Sequence, residues 1–172
     1  LGRAPDGPDG GDDAGAAGAD GIGRSDAIET DPMVQTPVTG TVKVNTTVAG
    51  AQFAPAVAAL SGGGYVVAWG DSSAGRVFAQ RFGASGQKVG SELQLDSTQG
   101  GSPLRVSVAA TVNDGFVIAF QAGSFAQAEI FARRYDGANA PVGGLFAANT
   151  TSPNEQYNPH VTALDDGRLL FT

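Results

Sequence analysis

The 172-residue chain has no cysteine, one histidine, one methionine and one tryptophan. Without cysteine there is no disulfide framework and no thiolate-held zinc or iron centre. A single His160 excludes a histidine metal site that recurs along the chain. Long apolar runs are missing too. The longest, around Ala54 to Leu60, suits one strand and falls far short of the roughly 18 residues of a membrane-spanning helix. Basic residues are scarce, 10 against 17 acidic for a net charge of −7. A nucleic-acid partner needs a basic face, and long-range repulsion would oppose its approach. Helical periodicity bounded by caps is absent from every window. What the chain does have is 26 glycines and 41 % hydrophobic residues, enough for a core but unevenly spread.

The acidity is concentrated in the first thirty-one residues. Leu1 to Asp31 hold seven Asp and one Glu against Arg3 and Arg24, net −6, which leaves −1 for the rest. Eight Gly and six Ala fill much of the remainder, so this stretch lacks the apolar surface to offset its ordering entropy. A disordered, self-repelling tether over residues 1–40 is expected, beginning without Met and so processed or cut from something longer. Within it Asp6, Asp9, Asp12 and Asp13 cluster among glycines and are the candidates for a calcium site, the one cofactor this sequence suggests. The spacing of a helix-loop-helix calcium loop is absent, and Pro8 interrupts the turn.

Beyond the tail the chain repeats. Laying Thr41 over Glu92 brings Val57-Ala58-Ala59 onto Val108-Ala109-Ala110, and Gly64-Tyr65-Val66-Val67-Ala68-Trp69 onto Gly115-Phe116-Val117-Ile118-Ala119-Phe120. Two residues further out of step, Val77-Phe78-Ala79-Gln80-Arg81-Phe82 matches Ile130-Phe131-Ala132-Arg133-Arg134-Tyr135, and Val89-Gly90 matches Val142-Gly143. A third copy begins near Leu145, where Asn149-Thr150-Thr151 answers Asn45-Thr46-Thr47 and Gln156-Tyr157-Asn158-Pro159 answers Gln52-Phe53-Ala54-Pro55. A period of about 50 residues is the mark of a repeat array or propeller.

Each unit is expected to contain four short strands: an alternating segment such as Thr41–Val44, a buried run at Val57–Leu60, an alternating strand at Tyr65–Trp69 and a fourth at Val77–Phe82. Gly62-Gly63-Gly64, Asn113-Asp114-Gly115 and Asp165-Asp166-Gly167 are hairpin turns. Val66 and Ala68 point opposite to Tyr65, Val67 and Trp69, so both faces of a sheet are apolar and each needs a cover. Stacking blades about an axis supplies it. The fold class is therefore all-β, with four-stranded antiparallel blades of a β-propeller: blade 1 over 41–91, blade 2 over 92–144 and a truncated blade 3 over 145–172. Two and a half blades do not close a ring that takes four to eight, so the remaining blades are expected in cis or by self-association.

Through N-T-T, Q-F/Y-x-P-x-V-x-A-L, G-Y/F-V-V/I-A-W/F and F-A-x-R-F/Y, Thr41 to Thr172 resembles the tandem repeats of secreted and surface-anchored bacterial proteins that are predicted to be β-propellers. The units are similar in length to Kelch and FG-GAP repeats but carry none of their diagnostic motifs. The tail is similar to the low-complexity stretch that follows the lipidated cysteine of bacterial lipoproteins. The resemblance implies an exported location, extracellular or at the cell surface, with a lipid anchor upstream.

No catalytic constellation stands out. His160 lacks a nucleophile motif, and the adjacent Asp165 and Asp166 cannot flank a sugar. Asp71, Asp114 and Glu129 could act together only if the fold brings them together. Repeating residues, Arg81 with Arg134 and Asn45 with Asp96 and Asn149, point to hydrogen bonds that hold strands and turns. Trp69, with Phe120 as its counterpart, is expected in the core. Residues that break the repeat, Arg105, Gln127, Arg133, Tyr157 and Asn158, are the ligand-binding candidates. The function expected is a non-catalytic extracellular binding or scaffold module for a protein or glycan ligand. The rivals are a glycan hydrolase or lyase completed by further blades, and a calcium-stiffened adhesin spacer.

Overall fold

The computed structural model describes residues 41–72, 75–95, 105–123, 128–150 and 156–172. Residues 1–40, where a tether and the calcium candidates Asp6, Asp9, Asp12 and Asp13 are expected, and also Asp96 and Gln127, lie outside the described residues. Every described strand belongs to one compact unit, Val42–Thr172.

The chain is all-β. Strands β1 (Gln52–Ala59), β2 (Tyr65–Asp71), β3 (Arg76–Phe82) and β4 (Lys88–Leu95) form one antiparallel sheet in chain order. Strands β5 (Val106–Ala110), β6 (Phe116–Ala122), β7 (Glu129–Tyr135) and β8 (Pro141–Ala147) form a second of the same topology. A third pair follows, β9 (Val161–Ala163) and β10 (Leu169–Phe171). The one helical feature among the described residues is a 3-10 turn at Val112–Asp114.

The turns close where the sequence places them. Leu60 N–H donates to Gly64 O, Thr111 N–H to Gly115 O and Leu164 N–H to Arg168 O, each at 2.8 Å. The tight reversal needs left-handed residues, supplied by Gly63 (φ 83°), by Asn113 and Asp114 (φ 57° and 62°), and by Gly167 (φ 83°). Gly64 answers a different demand, because a Cβ there would lie 2.2 Å from the Phe82 carbonyl oxygen of β3. Arg168 occupies the same place in the third unit, where β10 has no third strand beside it among the described residues. Gly90 (φ 71°) and Gly143 (φ 76°) mark matching bulges in β4 and β8 opposite Gln80 and Arg133.

A further irregularity recurs in β1, whose register with β2 shifts between Phe53 and Ala56. Ala54 there has φ 49°, and its repeat counterpart Asn158 has φ 50°. Asparagine tolerates the left-handed region, whereas alanine is strained in it by about 1–2 kcal/mol. Ala54→Gly is expected to raise unfolding free energy by about 0.5–1 kcal/mol, the strain relief less the added unfolded-state entropy. A urea midpoint that stays put or falls would show that the bulge does not strain Ala54.

Period-two alternation sorts each sheet into two unlike faces. One carries Tyr65, Val67, Trp69, Phe78 and Phe82 in the first unit, with Phe116, Ile118, Phe120, Phe131 and Tyr135 at the same places in the second. Directly opposed pairs stack on it: Tyr65 on Phe82 (4.7 Å between centroids) and Phe116 on Tyr135 (5.0 Å). The other face carries small and aliphatic residues, Val66, Ala68, Val77 and Ala79, then Val117, Ala119, Ile130 and Ala132. The aromatic face of the second sheet packs on the small-residue face of the first, burying Phe116, Ile118 and Phe120 completely. The second sheet's small-residue face in turn receives Val161, Leu169 and Phe171 of β9 and β10. Each fully buried large side chain contributes roughly 1.5–3 kcal/mol by leaving water.

The sheets run out of phase with the units read from the sequence. Glu92–Leu95, expected to open the second unit, ends β4 and closes the first sheet, so β4 and β8 each run across an expected unit boundary, at 91/92 and at 144/145. Thr41–Val44, the counterpart of Glu92–Leu95, belongs to no sheet.

Candidate functional site

Of the recurring polar residues, Arg81, Asn45 and Asn149 are engaged by the fold. The Arg81 guanidinium donates to the Asp114 carboxylate, to Asp114 O (3.2 Å) and to Gly137 O (2.7 Å), crossing from the first sheet to the turns of the second. Asp114 also accepts from Gly62 N–H at 2.7 Å, so one carboxylate holds two hairpin ends together. Arg134 repeats Arg81, yet it is exposed, has no partner among the described residues, and lines a cleft where Gly167 stands near it instead of an aspartate. Asp71 is fully buried and accepts from Gln52 Nε2 at 3.0 Å, while Glu129 is bonded by Asn149 Nδ2. Asp71 and Glu129 lie at the loop end of β2 and β7, and Asp114 lies at the opposite end of the sheets, so the three carboxylates do not converge. No cluster of three or more metal-ligating side chains occurs among the described residues.

Of the repeat-breaking candidates, Tyr157 lines a cleft. The residue is 51 % exposed, and beside it Ile130, Ala148, Asn149, Gln156, Phe171 and Thr172 enclose about 130 Å3. Asn158 next to it is exposed and takes its place through the left-handed backbone described above. Arg105 is exposed on the approach to β5, and its carbonyl accepts Gln121 N–H at 3.0 Å. Arg133 lies with its guanidinium carbon 5.9 Å from the Tyr135 ring centroid, a cation–π contact within one strand, and its Nε is buried without a partner. Arg105 and Arg133 do not line the Tyr157 cleft. His160 is exposed and pairs through its backbone with Thr172, Asp166 accepts from its neighbour Arg168, and Trp69 is buried on the aromatic face as expected.

A second cleft sits at the equivalent place one end earlier. Val44, Asn45, Gln52, Phe53, Pro55, Val67 and Trp69 line about 190 Å3. Five of these are repeat counterparts of the first set: Val44 of Ala148, Asn45 of Asn149, Gln52 of Gln156, Phe53 of Tyr157 and Val67 of Phe171. The sequence reading takes the Asn recurrence as structural and the Gln recurrence only as a sign of the repeat, and does not see that together they mark a repeated cleft. The signal was present in the joint recurrence of Asn, Gln and an aromatic residue.

The largest asymmetry is at the two ends of the stack. Val57, on the aromatic face of the first sheet, is 67 % exposed, whereas its counterpart Val108 is packed between the sheets. At the far end the small-residue face of the third unit presents Leu170, 50 % exposed, and Leu164. The stack thus ends in an aromatic face on one side and an aliphatic face on the other. No family model, curated protein or solved structure matches the chain.

Proposed function

We propose that the chain is part of a β-propeller that acts as a non-catalytic binding or scaffold module outside the cell. The observation that carries this is the pair of unlike open faces. Each internal contact sets an aromatic face against a small-residue face, and Val57 at one end with Leu170 at the other leaves one of each without a described neighbour. A head-to-tail contact of this kind propagates until a rotation closes it into a ring. The succession of inner strands supports the same reading, since β1 lies against β5 and β5 against β9. Further blades come in cis or from other copies.

The scaffold role is supported by where the repeated polar groups go. Arg81, Asp114 and Asn149, and Asn45 through its Nδ2, bond to backbone and to neighbouring side chains, so ligand recognition is assigned to residues that vary between units, among them Tyr157, which lines a cleft, and Asn158 beside it. Export and attachment at a cell surface are supported by the acidic Gly- and Ala-rich tail and by the resemblance of the repeats. The test is electron microscopy of the native particles with their mass in solution. Class averages should show a ring of about four to eight blades around a channel. A compact particle of one chain mass without a ring would overturn the propeller reading.

A further inference from the structure

We propose that residues 42–45 form a docking edge for one more β-strand, of the type seen in β3 and β7, with the pattern [VI]-F-A-x-R-[FY]. The inference rests on reading the units as blades, and it names what the first unit's open side takes up. In the second unit the start of β7 is gripped at one residue from two directions. Ala148 N–H donates to Ile130 O at 2.8 Å, and Ile130 N–H donates to Asn149 Oδ1 at 2.9 Å. The same residues line the Tyr157 cleft, with Ile130 as its outer wall.

In the first unit the cleft is built from the counterparts, but among the described residues lining it none stands where Ile130 does. Val44 is the counterpart of Ala148, and its N–H takes no partner among the described residues. Asn45 is the counterpart of Asn149. Its Nδ2 donates to Thr47 O (2.8 Å) and Gln52 Oε1 (2.6 Å), while its Oδ1 accepts nothing among them. One donor and one acceptor are therefore held open, side by side, for the C=O and N–H of a single residue in an incoming strand. In β3 and β7 that residue is Val77 or Ile130, and β3 confirms the placement, because Val77 lies opposite Leu95, which is the counterpart of Val44 in the first sheet. Val42, exposed on the same segment, is the counterpart of Leu93, which packs on the core beside β3. The occupant is thus a strand of a further repeat unit, added edge to edge. The match is to backbone groups and one β-branched side chain, so it selects a strand of this repeat and not a generic apolar ligand.

The test is hydrogen exchange at the Val44 amide in the whole chain, with and without an octapeptide of the sequence Ala128–Tyr135. The peptide should slow Val44 exchange at least about tenfold, saturably and at one peptide per chain. Val44→Pro, which removes the donor, and Asn45→Ala, which removes the acceptor, should each weaken binding about tenfold or more. N-methylation of the isoleucine in the peptide should do the same. Val44 belongs to no sheet, so Val44→Pro removes no sheet pairing, whereas Asn45→Ala also removes the bonds to Thr47 O and Gln52 Oε1; unchanged urea midpoints for both variants show that weakened binding does not come through the fold. Unprotected Val44 at about 1 mM peptide, or binding indifferent to both variants, overturns the proposal. Protection that grows with protein concentration and that excess peptide does not displace assigns the edge to a different surface of a second copy and overturns it as well. A ring in electron micrographs with Val44 unprotected sinks the docking edge alone, and peptide protection without a ring sinks the propeller alone.

Discussion

Arg81→Met is expected to cost about 3 kcal/mol of stability, and Arg134→Met less than about 0.5 kcal/mol, although the two arginines occupy the same position of the repeat. Arg81 is 9 % exposed and spans the two sheets through three acceptors, one of them the carboxylate of Asp114. Methionine keeps the apolar stem and removes only the guanidinium, so the loss reports the charged hydrogen bonds and not packing. Asp114→Asn should cost about 1–2 kcal/mol, because asparagine keeps an acceptor for Gly62 N–H and is at ease with φ 62°. The double mutant should lose less than the sum of the two single losses. A clasp that is mostly buried is weakly screened, so the Arg81 effect should persist at high salt. Urea denaturation of the four variants checks this, and equal losses at Arg81 and Arg134 would show that the inter-sheet clasp carries no special weight.

The clasp also shows what a sequence reveals and what it does not. Recurrence singles out Arg81 as a residue with a task, but its partner lies 33 positions away across a sheet boundary. No local pattern couples them. Face assignment was fully legible, because alternation alone separates Val66 and Ala68 from Tyr65, Val67 and Trp69, and the packing obeys it. Turns were legible for the same kind of reason, since Gly-Gly-Gly, Asn-Asp-Gly and Asp-Asp-Gly meet the left-handed demand of a tight reversal.

The phase of the units was not legible. A repeat has the same period wherever it is cut, so similarity between Thr41–Val44 and Glu92–Leu95 cannot say which sheet either joins. Hydrogen-bonded pairing decides it, and β4 belongs with β3. Strain at Ala54 was equally hidden, its one trace being the asparagine that the third unit carries at position 158. Of the ligand candidates, Tyr157 proved to line a cleft and Arg133 proved to lie along its own strand against Tyr135. Breaking the repeat marks a residue as free to differ, and only the fold says whether that freedom faces solvent or a neighbouring ring.

Phe116→Ala is expected to lower stability by about 4 kcal/mol, and its counterpart Tyr65→Ala by about 1–2 kcal/mol. Both rings sit on the aromatic face of their sheet and both stack on the opposed residue of the next strand, Tyr135 or Phe82. The difference lies in what covers them. Phe116 is fully buried between the two sheets, so truncation opens a cavity lined by residues of both. Tyr65 is half-buried, and Val57 on the same face is largely open, so truncation there exposes a surface that water already reaches. Because local geometry is shared, the gap between the two losses measures the neighbour itself. Measured on the monomeric chain, the gap should be about 2 kcal/mol or more. Under conditions where particles show a closed ring, Tyr65 acquires the environment of Phe116, and the two losses should converge. A Tyr65 loss that stays small in ring particles would mean that the aromatic face of the first sheet is not where the next blade packs. A loss near 4 kcal/mol in the isolated monomer would mean that this face is already covered.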